Sequence, residues 1–145
     1  MNSNFVQFIK FGLVGVSNNI IFFIVYLATV FLLKRFNYEY DYIVGNILGF
    51  FRSVFWSYLL NNKFVFSLKK GETRSFKKTL FKTYISYGFT GIILNNILSY
   101  LFISICSISK YLVPLINLII TIPINFIINK FWAYKTKGVL NERTY

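Results

Sequence analysis

Four stretches of nearly unbroken apolar residues dominate the chain: 11–33, 43–62, 83–105 and 112–132. The first and third carry no charged side chain, and the second is interrupted once, by Arg52. The first runs 23 residues, about 35 Å as a helix, enough to cross a hydrocarbon core of about 30 Å. The fourth passes into Phe131, Trp132 and Tyr134, aromatic residues of the kind that settle at a membrane–water interface. The first stretch is too long for a signal peptide and shows neither a strongly basic leading segment nor a small-x-small cleavage site. The pattern predicts an all-α integral membrane protein, residues 1–145 forming one domain of four transmembrane helices.

Polar residues inside these spans recur at a fixed spacing. Gly12-x-x-Gly15-x-x-x-Asn19 in the first span returns as Gly88-x-x-Gly91-x-x-x-Asn95 in the third. Ser53, Ser57 and Asn61 in the second correspond to Thr121, Asn125 and Asn129 in the fourth, at an offset of 68. Offsets of three and four put side chains on one helical face. The chain is therefore expected to be two similar helical hairpins, each with a polar seam, with the glycines permitting close helix approach. Asn46 extends the seam on the second span and Asn117 on the fourth.

Charge decides orientation. The segment 63–82 holds seven basic residues against Glu72, and the tail from Lys130 holds four against Glu142. The other two connections hold Lys34 and Arg35 balanced by Glu39 and Asp41, and Lys110 alone. The positive-inside rule then places both termini and the central loop in the cytoplasm. Both hairpins start on the same side, which makes them parallel repeats related by an axis along the membrane normal. The net charge of +12 sits in short clusters between uncharged spans, which argues for a membrane protein and against nucleic-acid binding. Arg74-Ser-Phe-Lys-Lys-Thr-Leu-Phe-Lys82 alternates bases with apolar residues as an interfacial helix would. Loop 63–82 is thus expected to meet anionic membrane lipid, or to dock a peripheral partner.

The chemistry available is narrow. With no histidine, one cysteine (Cys106) and four acidic residues, the chain offers no catalytic dyad and no metal-ligand set. No cofactor is expected, and the chain is read as no enzyme. Arg52 is the sharpest single feature, near mid-span and too far from either end to reach water easily. A mid-membrane Arg costs at least about 2.5 kcal/mol on insertion scales. Gly45, Gly49 and Trp56 share its face, so a groove edge with close backbone approach is expected there. Its candidate role is to bind a phosphate, against a purely structural role in bonding carbonyls. Asn19, Asn46, Ser53, Ser57, Asn95, Asn117, Thr121 and Asn125 are the candidate polar lining. Interhelical hydrogen bonding explains some of them, at roughly 0.6 kcal/mol per bond, and a substrate-accessible groove would explain the rest.

Three segments together resemble the GtrA-like family. They are Lys10-Phe-Gly-Leu-Val-Gly15-Val-Ser-Asn18, Asn61-Asn-Lys-Phe-Val-Phe66, and Thr121-Ile-Pro-Ile-Asn125-Phe-Ile-Ile-Asn129-Lys-Phe-Trp-Ala-Tyr134. The resemblance covers nearly the whole chain in order, spacing and span count. It implies a multi-pass bacterial cell-membrane protein of surface-polysaccharide or teichoic-acid glycosylation, one that flips a polyprenyl-phosphate-linked sugar to the outer leaflet. A membrane glycosyltransferase would be the partner, and a non-transporting subunit that anchors such an enzyme is the alternative. Assembly as a homo-oligomer stays open. Many family members carry an acid where this chain has Phe22, so proton coupling by that acid does not carry over. A small cation exporter would need an intramembrane acid, and the spans contain none.

Overall fold

The computed structural model describes residues 3–39, 41–109 and 112–137, the side chain of Pro114 excepted. Lys110, Glu142 and Arg143, counted above for orientation, lie outside the described residues. Within them the chain is helical, and the sole extended pairing is a two-residue bridge between Thr73 and Lys137. Four helices are long and apolar enough to cross a membrane: Ser3–Lys34, Asp41–Val65, Phe76–Ile105 and Leu115–Ala133. They fall into two compact units, Met1–Val65 and Phe66–Tyr145, so each unit holds one hairpin of the repeat.

In the first unit, α1 (Ser3–Lys34) ends with Lys34 in its last turn, where a cation suits the carbonyl end of the helix dipole. The chain reverses through Asn37, whose φ of 51° is a left-handed conformation that Asn tolerates better than most residues. Then α2 (Asp41–Leu60) opens with an acid in its first turn, at the opposite pole of the dipole. Phe11, Val14 and Thr29 on α1 are buried, while Leu13, Val16, Ile20, Phe23, Leu27 and Phe31 form an exposed stripe at steps of three and four. An uncovered apolar stripe of this length is a liability in water and an asset in lipid. The α2 face toward α1 is set by Gly45 and Gly49. A Cβ on Gly45 would lie 2.9 Å from Tyr26 Cδ2, and one on Gly49 would lie 3.0 Å from Phe22 Cδ2 and 3.2 Å from the Phe22 carbonyl. The helix backbones approach too closely for any side chain there.

In the second unit, α3 (Phe76–Gly88), a π-helical stretch Phe89–Leu94, α4 (Asn95–Tyr100) and a second π-helical turn Leu101–Ile105 run on as one span. The alternating basic–apolar segment is not a separate interfacial helix. Phe76 to Lys82 are the first two turns of this span, with Thr79 facing inward. A helix continues here because a buried hydroxyl stripe, Thr79, Thr83, Ser86 and Thr90, already lies at steps of four, three and four. After a turn through Ser107 (φ 54°), α5 (Val113–Ile128) begins with Pro114 in its first turn, where no N–H is needed.

The repeat is visible in the backbone itself. α2 passes into a π-helical turn at Asn61–Val65 and α5 into one at Asn129–Ala133, an offset of 68 at both ends. Ser57, Tyr58, Asn61, Val65 and Phe66 are buried, and so are Asn125, Phe126, Asn129, Ala133 and Tyr134. The glycines Gly12, Gly15, Gly88 and Gly91 do not serve as expected. An added Cβ meets nothing within 4 Å at any of them, and close approach belongs to Gly45 and Gly49.

Orientation is open to a direct test. Asn37 and Gly71 have positive φ (51° and 87°), so probes belong instead at exposed serines of the central connection and of the connection after the third span. In a Cys106→Ser background, Ser109→Cys is expected to react with an impermeant maleimide on intact cells. Ser67→Cys is expected to react only after permeabilisation. External labelling at Ser67 would reverse the orientation drawn from charge.

Candidate functional site

A polar side chain inside a hydrocarbon layer must find a partner on its own or a neighbouring helix, because water is absent. In the second unit two clusters do so. Asn129 Nδ2 donates to Ser86 Oγ (2.8 Å), to the Asn125 carbonyl (2.8 Å) and to Asn125 Oδ1 (2.9 Å), and Ser86 Oγ donates to Asn125 Oδ1 (2.8 Å). Further along, Asn117 Nδ2 donates to Asn95 Oδ1 (2.7 Å) and Ser99 Oγ (2.8 Å). The Asn117 and Asn129 side-chain oxygens are buried and take no donor among the described residues. The first unit carries a lighter version. Asn61 Nδ2 donates to Ser57 Oγ at 3.2 Å, and Trp56 Nε1 donates to Ser17 Oγ at 2.7 Å, tying α2 to α1.

The residues proposed from sequence divide accordingly. Asn95 and Asn117 come together, Asn125 joins Asn129, and Ser57 joins Asn61. Ser53 is buried but bonds its own helix, donating to the Phe50 carbonyl at 3.1 Å. Thr121 is half-buried, while Asn19 and Asn46 are exposed and bond to no described residue. On α1 the half-buried asparagine is Asn18, with its side-chain oxygen enclosed. Sequence reasoning missed Ser86 and Ser99, although the hydroxyl stripe at helical spacing was there to be read.

Arg52 is exposed on α2 and makes no hydrogen bond or ion pair among the described residues. It lies 11 residues into the span Asp41–Val65, about 16 Å along the axis. Gly45 and Gly49 hold α1 close on one side of it. Trp56, one turn on, is anchored to Ser17. The arrangement therefore offers an uncovered guanidinium beside a fixed helix pair, together with amide and hydroxyl groups elsewhere in the spans. No group of three or more His, Cys, Asp or Glu is placed to hold a metal among the described residues. Such a set can bind and release polar ligands and carries no group suited to covalent chemistry.

A family model described as GtrA/DPMS, transmembrane domain, matches residues 10–134. No curated protein and no solved structure matches the chain.

Proposed function

The chain belongs to the GtrA/DPMS transmembrane-domain family, and from that premise we propose that it carries a polyprenyl-phosphate-linked sugar from the cytoplasmic to the outer leaflet. Membership makes it a multi-pass membrane protein of a glycosylation pathway and not an enzyme. The transport step, and its service to surface polysaccharide or teichoic acid in a bacterial cell membrane, are our reading.

The observation that carries this reading is Arg52, a cation at mid-span with no ion-pair partner among the described residues. A buried or lipid-facing charge is retained against its insertion cost when it meets a counter-charge in use. A phosphate on a lipid carrier supplies one, and a guanidinium can meet it with two parallel donors. Asn, Ser and Thr can exchange hydrogen bonds with sugar hydroxyls without burying further charge. Each unit brings candidate polar residues of its own, Asn19, Asn46, Ser53 and Ser57 in the first and Asn95, Asn117, Thr121 and Asn125 in the second. Asn19 and Asn46 are exposed and bond to no described residue, which leaves their amides available to ligand, and the bonded residues shape the helices of their own unit. Phe22 stacks on Tyr26 (6.2 Å) and lies over Gly49, so it is committed to packing and takes no part in proton coupling.

Leaflet exchange measured in vesicles with purified protein and lipid-linked sugar tests this. Wild type is expected to speed exchange, and Arg52→Gln to lose at least about tenfold while inserting normally, as one charge-assisted phosphate contact implies. Arg52→Lys is expected to recover part of the rate. Unchanged exchange with Arg52→Gln would remove the phosphate role. In cells, deletion is expected to leave lipid-linked sugar synthesis intact while surface glycosylation is lost. Loss of the lipid-linked sugar itself would favour the subunit that stabilises a glycosyltransferase.

A further inference from the structure

The second unit holds a cavity of about 580 Å³ at the membrane-interface end of its two spans, where Phe76 opens one helix and Ala133 closes the other. Five cations line it: Arg74, Lys78, Lys82, Lys135 and Lys137. Among the described residues its lining contains no acidic side chain, so each cation raises the cost of the next unless an anion enters.

The walls are built rather than incidental. Thr73 and Lys137 exchange backbone hydrogen bonds (3.4 and 3.1 Å), which lays the segment after the fourth span beside the segment before the third. Arg74 spends its guanidinium on structure. It donates to the carbonyls of Phe66 (2.7 Å) and Tyr134 (2.9 Å), residues equivalent in the repeat, and stacks over the Tyr134 ring at 5.0 Å. The Phe66 and Tyr134 rings stack in turn, 4.7 Å apart. Lys82 donates to the Trp132 carbonyl and sits over its ring. Three ammonium groups are left over. Lys78, Lys135 and Lys137 have side chains with no hydrogen-bond or ion-pair partner among the described residues. Ser75, at the head of α3 and in the lining, makes no side-chain cap bond, so its hydroxyl adds a donor to the same cavity.

We infer that this cavity is a binding site for the phosphate of a lipid headgroup, one that accepts a doubly charged phosphate more tightly than a phosphodiester. Arg52 belongs to the other unit and is not part of this lining, and the inference does not depend on the transport reading. A general basic surface would attract anionic lipid through every exposed lysine of the loop. The cavity instead selects Lys78, Lys135 and Lys137 over Lys69, Lys70 and Lys77, which lie outside its lining.

The full chain in nanodiscs of phosphatidylcholine with a minor fraction of either phosphatidic acid or phosphatidylglycerol tests this, read as retained lipid per protein by native mass spectrometry. Wild type is expected to retain phosphatidic acid over phosphatidylglycerol. The triple variant Lys78→Gln/Lys135→Gln/Lys137→Gln is expected to lose about tenfold or more of that retention. The variant Lys69→Gln/Lys70→Gln/Lys77→Gln removes the same charge and is expected to keep it. Inorganic pyrophosphate is added to separate the sources. Displacement of retained lipid only at concentrations far above those of the lipid supports a lipid-borne phosphate. Displacement at equal concentration would overturn the lipid as ligand in favour of a soluble phosphate. Equal losses in the two triple variants, or no preference between the two anionic lipids, would overturn the site.

Discussion

Gly49→Leu is expected to remove the folded protein from the membrane fraction, whereas Gly12→Ala and Gly91→Ala are expected to leave its amount unchanged. The reason is where backbone meets backbone. At Gly49 even a methyl would press to 3.2 Å from the Phe22 carbonyl and 3.0 Å from its ring, and at Gly45 to 3.3 Å from the Tyr26 carbonyl. A carbonyl on a helix axis cannot rotate away as a side-chain tip can, so α1 and α2 must separate and lose their packing. Overpacking of this kind costs about 1–3 kcal/mol or more, a large share of a typical stability. At Gly12 and Gly91 an added Cβ meets no atom of a packed neighbour within 4 Å, and Ala gains helix propensity of up to about 1 kcal/mol. Thermal unfolding in detergent and the amount in isolated membranes measure both. A stable Gly49→Leu protein would refute the α1–α2 contact described here.

Asn129→Asp is expected to be the most damaging near-isosteric change in the second unit. Asn129 is fully buried, and its amide hydrogens satisfy Ser86 Oγ, the Asn125 carbonyl and Asn125 Oδ1 together. A carboxylate keeps the shape but sets acceptor against acceptor, and it brings a charge among Ser86 and Asn125, neither of which is cationic. Leaving such groups unpaired costs about 1–3 kcal/mol each, more for a charged one. Asn129→Leu removes the donor without adding charge and leaves Ser86 and Asn125 to each other, for a loss of about 1–2 kcal/mol. The expected order of stability is wild type, then Leu, then Asp, read as the monodisperse fraction after detergent heating. Asp equal to wild type would show that the cluster does not lock these helices together.

The sequence by itself determined the solvent, the number of spans and the twofold repeat. Uncharged runs about 20 residues long have one physical outlet, a helix across a bilayer. An offset of 68 between Asn61 and Asn129 is legible because buried Asn residues are few and costly. The absence of histidine and the presence of only four acids left little from which to build catalytic chemistry. What the sequence did not reveal was the phase of each helix. The motif Gly88-x-x-Gly91-x-x-x-Asn95 assumes α spacing, but Phe89–Leu94 is π-helical. A π turn holds an extra residue, so everything after it lags by roughly 100°. The buried stripe runs Thr79, Thr83, Ser86 and Thr90, and the next inward polar contact comes five residues on, where half-buried Asn95 reaches Asn117. In α1 no such turn intervenes, so Asn19, its counterpart in the repeat, lies exposed and Asn18 turns inward. Backbone hydrogen-bond register is decided by what packs against the helix, and no spacing of residue types records it. The cavity around Lys78, Lys135 and Lys137 was hidden for a related reason: its walls come from segments about 60 residues apart, joined only once Thr73 pairs with Lys137.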